Sequence, residues 1–187
     1  MALKKIVILF SGRGSNMQSI IKKLHGKSVD VAAAITNNPN ADGIESARAL
    51  GVKVDILPHT DFASREAFDT ALVSKIKEYS PDITVLAGFM RILTSVFTDN
   101  IKAINIHPSL LPLFKGKDGI KESFLSGMKE GGVSVHYVTS EMDGGDIIIQ
   151  ESVPILKDDT LESYKDRVHE KEHELYPRAI LKALNTI

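Results

Sequence analysis

With 187 residues, 43% hydrophobic and 25% charged, the chain is long enough to close one sizeable core. A formal net charge of −1 advertises no nucleic-acid or membrane partner, and the lack of Cys excludes disulfides, thiolate catalysis and Cys-based zinc sites. The apolar stretch ending at Phe10 is too short to cross a bilayer. A Ser/Gly/Arg loop follows it where a signal peptide would carry a cleavage site, so the sequence predicts a cytoplasmic protein.

Ile6 to Phe10 reads as a strand buried on both faces, broken by Ser11-Gly12-Arg13-Gly14. Ser15 or Asn16 is placed to cap a helix carrying Met17, Ile20, Ile21 and Leu24. Val29 to Thr36 is the next strand, Gly43 to Leu50 a helix and Val52 to Leu57 a third strand. A helix runs from Ser64 to Tyr79, with Phe68, Leu72 and Ile76 at four-residue spacing. Ile83 to Ala87 and Ala103 to Ile106 are further strands. This alternation predicts an α/β fold: an open, mostly parallel, twisted sheet with helices on both faces. Val133 to Val138 and Ile147 to Val153 lie too close in sequence for a parallel crossover and are expected as a C-terminal hairpin. A long helix begins near Asp159 or Thr160, with Pro177 expected to kink or divide it.

Four places carry chemistry. Gly14, Ser15 and Asn16 lie where a buried strand meets a helix N-terminus, whose free N–H groups suit a phosphate; an ordinary βα turn would look the same. Met17 stands where the dinucleotide fingerprint needs a third Gly, which favours a mononucleotide phosphate. Asn105 and His107, two apart at the carboxyl end of a parallel strand, project to one face as a pair able to hold an oxyanion; a polar strand end with a satisfied histidine is the plain alternative. Asp143 can support a histidine as a proton carrier, or it is simply the Asp-Gly of a hairpin turn. His169-Glu170-Lys171-Glu172-His173 matches the H-E-x-x-H zinc pattern, but charge-rich helices produce it by chance and no third ligand is evident downstream. His169, Glu172 and Tyr176 form a different stripe, on which a carboxylate could hold an amine or hydroxyls.

Taken together, these segments resemble the folate-dependent formyltransferases along nearly the whole chain. The matching stretches are Ser11 to Asn16, Ala87-Gly88-Phe89-Met90-Arg91-Ile92-Leu93, Asn105 to Pro112, Val133 to Val138, Met142-Asp143-Gly144-Gly145 and Glu172 to Pro177. The trio Asn105, His107 and Asp143 is shared across the superfamily. The Gly-Arg-Gly-Ser-Asn opening and the late Glu-His segment point to the glycinamide ribonucleotide branch.

The resemblance implies one formyltransferase domain over 1–187, with a phosphate-binding half over 1–100 and a catalytic and folate-binding half over 101–187. It implies transfer of a formyl group from 10-formyltetrahydrofolate to glycinamide ribonucleotide in purine synthesis, with no metal. It implies small-molecule substrates, no nucleic acid, no membrane, and a monomer or homodimer. Gly14, Ser15, Asn16, His169, Glu170, Lys171 and Glu172 would meet the ribonucleotide. Arg65, Met90, Arg91, Ile92 and Leu93 would line the folate site, with Asn105 and the closing segment Thr139, Ser140, Glu141, Met142 and Asp143. The Phe114 to Gly119 stretch is assigned no role, and Asp146, where relatives often carry Pro, is expected to alter the start of the second hairpin strand. The competing readings are a formyltetrahydrofolate hydrolase, a tRNA-directed formyltransferase (expected to need an added C-terminal domain and basic surface), a zinc hydrolase using His169 and His173, and a non-catalytic folate or nucleotide module.

Overall fold

The computed structural model describes residues 2–185. Seven strands form one sheet in the order β3-β2-β1-β4-β5-β6-β7. Five are parallel: β1 (Lys4–Phe10), β2 (Val29–Thr36), β3 (Val54–Ile56), β4 (Ile83–Leu86) and β5 (Ala103–His107). The last two, β6 (Glu130–Tyr137) and β7 (Ile147–Pro154), are antiparallel and form the expected hairpin. Helices cover both faces. Ile6, Ile8 and Phe10 of β1 pack with α1 (Ser15–Leu24), α2 (Gly43–Ala49) and α6 (Leu161–Asn185). Val7 and Leu9 point the other way, against α3 (Arg65–Tyr79) and α4 (Ser95–Thr98). That alternation is the two-residue period of a strand buried on both sides.

The chain leaves β1 towards β2 and β3, then returns to lay β4 on the other flank of β1. The connections therefore diverge between β1 and β4, and their carboxyl ends open a crevice of the kind in which open α/β sheets bind ligands. Ser11, just after β1, donates its N–H to the Gly88 carbonyl just after β4 (3.0 Å), which closes the floor of that crevice.

Several boundaries differ from expectation for local reasons. β3 is three residues long because it pairs only with Ala34 to Thr36 at the sheet edge, while Val52 is drawn under α2 by its N–H bond to the Ala47 carbonyl (3.1 Å). α4 and α5 (Gly119–Leu125) are short and lay below the length at which periodicity speaks. β6 starts at Glu130, ahead of the expected Val133, because Gly131 and Gly132 interrupt its apolar alternation. Pro177 does not divide α6: the helix runs through it. The His173 carbonyl, four residues earlier, gets no helix bond because Pro177 has no N–H, and it accepts instead from Lys23 Nζ (2.6 Å) and Ser19 Oγ (3.1 Å) of α1. The buried Tyr176 fastens α6 to the sheet, its hydroxyl donating towards the carbonyls of Leu86 (2.7 Å) and Ile104 (3.1 Å). One apolar cluster runs from Ile6 to Leu184, through both 1–100 and 101–187.

Candidate active site

Ile104 and Ile106 belong to the α1/α6 side of the core, so Asn105 and His107 share the opposite face of β5. Directly across the antiparallel ladder from Asn105 stands His136, and Ser134 stands opposite His107. Facing residues in such a pair project to the same side. His136 Nδ1 lies 2.8 Å from the Tyr137 carbonyl, and its Nε2 lies 3.3 Å from Asn105 Nδ2.

Asp143 arrives from the long β6–β7 connection with a left-handed backbone (φ 51) and a buried side chain. One carboxylate oxygen, Oδ2, is 3.5 Å from His107 Nδ1 and accepts from the Gly116 N–H at 2.9 Å, while the other, Oδ1, is 3.5 Å from His136 Nε2. Burial alone would raise its pKa. The hydrogen bonds from His136 and the Gly116 amide and the charges of His107 and His136 override burial and hold it below the ordinary carboxylate value. The connection can return over the sheet only because a side chain is missing at Gly145, where a Cβ would collide with the Tyr137 carbonyl. Asp143 also sits in a tight turn, from Glu141 to Gly144, in which the Gly144 N–H donates to the Glu141 carbonyl at 3.2 Å. Asp146 closes the ladder through its carbonyl, which accepts from Tyr137 N–H (3.0 Å), a bond that any residue type supplies.

Two expectations need correction. His107 was expected to aim an N–H at the substrate oxygen. Its Nε2 instead lies 2.7 Å from the Phe114 carbonyl while Nδ1 faces Asp143. Both ring nitrogens thus face oxygens, one a backbone carbonyl and one a carboxylate. The Phe114 to Gly119 stretch was assigned no role, yet Phe114 holds His107, Gly116 holds Asp143, and Lys115 pairs with Glu141 at 2.7 Å. No periodicity marks such a segment, and only its spatial neighbours reveal its use. His136 was also missed as a site residue. The polar positions Ser134 and His136, alternating with Val133, Val135 and Tyr137, were the available signal.

On the other flank of the crevice, Gly14 rather than Ser15 or Asn16 precedes α1, with φ 70 and no side-chain cap. A side chain there would sit in a left-handed backbone and press on Met17. The N–H groups of the first turn are left to an anion. Asn16 reaches the carboxyl of Glu172 on α6, and its own Oδ1 is buried without a partner. Glu172 is only 7% exposed, and burial, opposed weakly by Asn16, raises its pKa to about 7. His169, one turn earlier on α6, is half-buried; burial and the nearby charges of Lys165 and Arg13 lower its pKa. Glu170 and Lys171 do not join this group. Glu170 is exposed, and Lys171 turns to Glu151 (3.2 Å) and Glu174 (3.1 Å). Among the described residues no set of three or more His, Asp or Glu is placed to hold a metal ion.

The third side of the crevice is apolar and open. Met90 is 73% exposed, Ile92 58% and Met142 54%, while Arg91 lies against the Phe68 ring (5.8 Å) with its Nε buried and unpartnered. Leu93 packs partly under this segment, and Arg65 stands exposed at the first turn of α3. Thr139 bonds the Glu141 carbonyl (3.2 Å), and Ser140 is exposed beside it. No helix among the described residues is long and apolar enough to cross a membrane.

Comparison with known proteins gives this arrangement a family. A sequence model described as formyl transferase matches residues 4–180. The chain belongs to the formyl transferase family. It is 42% identical to the phosphoribosylglycinamide formyltransferase of Escherichia coli over 94% of its own length and 84% of that protein's. It is 39% identical to the trifunctional purine biosynthetic protein adenosine-3 of Drosophila melanogaster over 97% of its own length, spanning 14% of that longer protein. Its fold superposes on the crystal structure of a Campylobacter jejuni phosphoribosylglycinamide formyltransferase with a TM-score of 0.95 at 47% identity, covering 98% of this chain and 99% of that one. Within the family's fold, the Asn105, His107, His136 and Asp143 group occupies the crevice between a helix terminus and an apolar mouth.

Proposed function

We propose that this chain transfers the formyl group of 10-formyltetrahydrofolate to the amine of glycinamide ribonucleotide, the reaction named for its Escherichia coli and Campylobacter jejuni relatives. The observation that carries the reading is the convergence of Asn105, His107 and Asp143 between two unlike subsites. The start of α1, with Gly14, Ser15, Asn16, His169 and Glu172, suits a phosphorylated sugar. The exposed Met90, Ile92 and Met142 suit a flat, largely apolar ring.

The ribonucleotide's neutral amine attacks the formyl carbon, so no side-chain nucleophile is required. As the new C–N bond forms, negative charge gathers on the formyl oxygen. Asn105 has a second amide N–H beyond the one given to His136 and directs it at that oxygen. His107, flanked by oxygens, adds positive charge rather than the direct bond first expected of it. The attacking nitrogen must lose a proton and the departing folate nitrogen must gain one. Asp143, ionised between two imidazoles, stands at the crossing of that path.

The test is an absorbance assay of purified protein with 10-formyltetrahydrofolate, run with and without glycinamide ribonucleotide. Turnover that requires the ribonucleotide and yields its formyl derivative is expected. Equal release of formate without it would replace transfer by hydrolysis.

A further inference from the structure

The segment from Ala87 to Thr94 has no regular structure, yet it holds Met90 and Ile92 out into the crevice against the tendency of apolar side chains to fold inward. Something must fix its shape, and two anchors do. At its head, Ser11 Oγ accepts from the Met90 N–H at 2.8 Å while donating to Asn37 Oδ1 at 2.6 Å. At its tail, Asp69 Oδ2 accepts from both the N–H (2.6 Å) and the hydroxyl (2.8 Å) of Thr94.

Asp69 occupies an unexpected place. It lies on α3 among Phe68, Leu72, Val73 and Ile76, the stripe that packs on the sheet, and it is 1% exposed. A carboxylate there costs stability unless its bonds compensate, and an apolar residue would serve packing better. Both of its described bonds go to one residue of the ring-lining segment, and none goes to a cation.

We infer that Asp69 is a positioning residue for folate binding: its buried carboxylate clamps Thr94 and so sets the shape of the Met90 to Leu93 wall without touching the ligand. The inference rests on the proposed function for what the wall binds. Asp69→Asn keeps size and packing but removes the charge, and Thr94→Val removes the hydroxyl bond while leaving the amide.

The experiment pairs steady-state kinetics with calorimetric titration of tetrahydrofolate into each variant. For Asp69→Asn, KM for 10-formyltetrahydrofolate and the dissociation constant of tetrahydrofolate should both rise about tenfold or more, the scale of one lost charge-assisted hydrogen bond. KM for the ribonucleotide should stay within about twofold, since α1 and α6 are not reached by this clamp. Thr94→Val should show a smaller rise in the same constants, and the double variant less than the product of the two, because both act on one bond pair. Unchanged folate constants in folded Asp69→Asn would overturn the inference. So would parallel rises in both KM values, the mark of general loosening. Failure of the wild-type protein to bind tetrahydrofolate would instead strike the proposed function, so the two failures are distinguishable.

Discussion

The two flanks of the crevice are built on opposite plans. The ribonucleotide side is made of regular helices, α1 and α6, locked together by Lys23, Ser19 and the His173 carbonyl, with its key carboxyl sealed from water. The proposed folate side is made of two irregular stretches, Ala87 to Thr94 and Thr139 to Asp143, held by isolated anchors, with apolar side chains left exposed. The difference follows from what each must hold. A phosphate and hydroxyls need fixed dipoles, and a helix terminus supplies them already oriented. A flat ring needs apolar surface that is kept open before binding, and no packed element can offer that.

The catalytic group lies between the plans and should be the most sensitive to change. Asn105→Ala and His107→Ala are each expected to lower kcat by about 10²–10³-fold, with smaller changes in either KM, as measured by the absorbance assay. Near wild-type turnover in both would dissolve the comparison at its centre.

Glu172→Gln probes the sealed side. A carboxyl raised to about 7 in the fold binds more protons than in the unfolded chain, where its value is near 4.5. It therefore costs little stability below that unfolded value, and the cost grows as pH rises through about 7, where it is complete. Glu172→Gln should gain up to about 3 kcal/mol over wild type at pH 8 and almost nothing at pH 4, read from denaturant melts, while KM for the ribonucleotide rises. A constant difference at both pH values would show that the carboxyl is not sealed as described.

Met90→Ser and Ile92→Ser probe the open side. Each should raise KM for the folate by up to about tenfold through lost apolar contact, with a melting temperature unchanged or slightly higher. A fall in stability would mean that these side chains serve the fold rather than the ligand. Lys171→Ala is expected to move both KM values by less than twofold, because its partners Glu151 and Glu174 lie away from the crevice. A large effect on the ribonucleotide KM would restore Lys171 to the site.

Much of this was legible in the chain. Continuous apolar runs marked the central strands, because strands buried on both faces tolerate nothing else, and Asn105 and His107 were paired by the two-residue period alone. Asp69 was hidden by its own helix, since one acidic residue barely disturbs an apolar stripe and its reason lies at Thr94, 25 residues away. Lys171 points to Glu151 and Glu174 rather than along the Glu172 face because consecutive helix residues are turned by about 100°, a distinction that a linear segment erases.

By itself the sequence determined the mostly parallel architecture, the glycine-led start of α1 after β1 and the shared face of Asn105 and His107, because periodicity and side-chain chemistry are local. Only the tertiary structure decided that His107 faces the Phe114 carbonyl, that Asp143 meets two imidazoles and that Glu172 is shut away from water. Those depend on which distant segments come to lie side by side, and burial and hydrogen bonding between them are properties of the folded contacts rather than of any one stretch of chain.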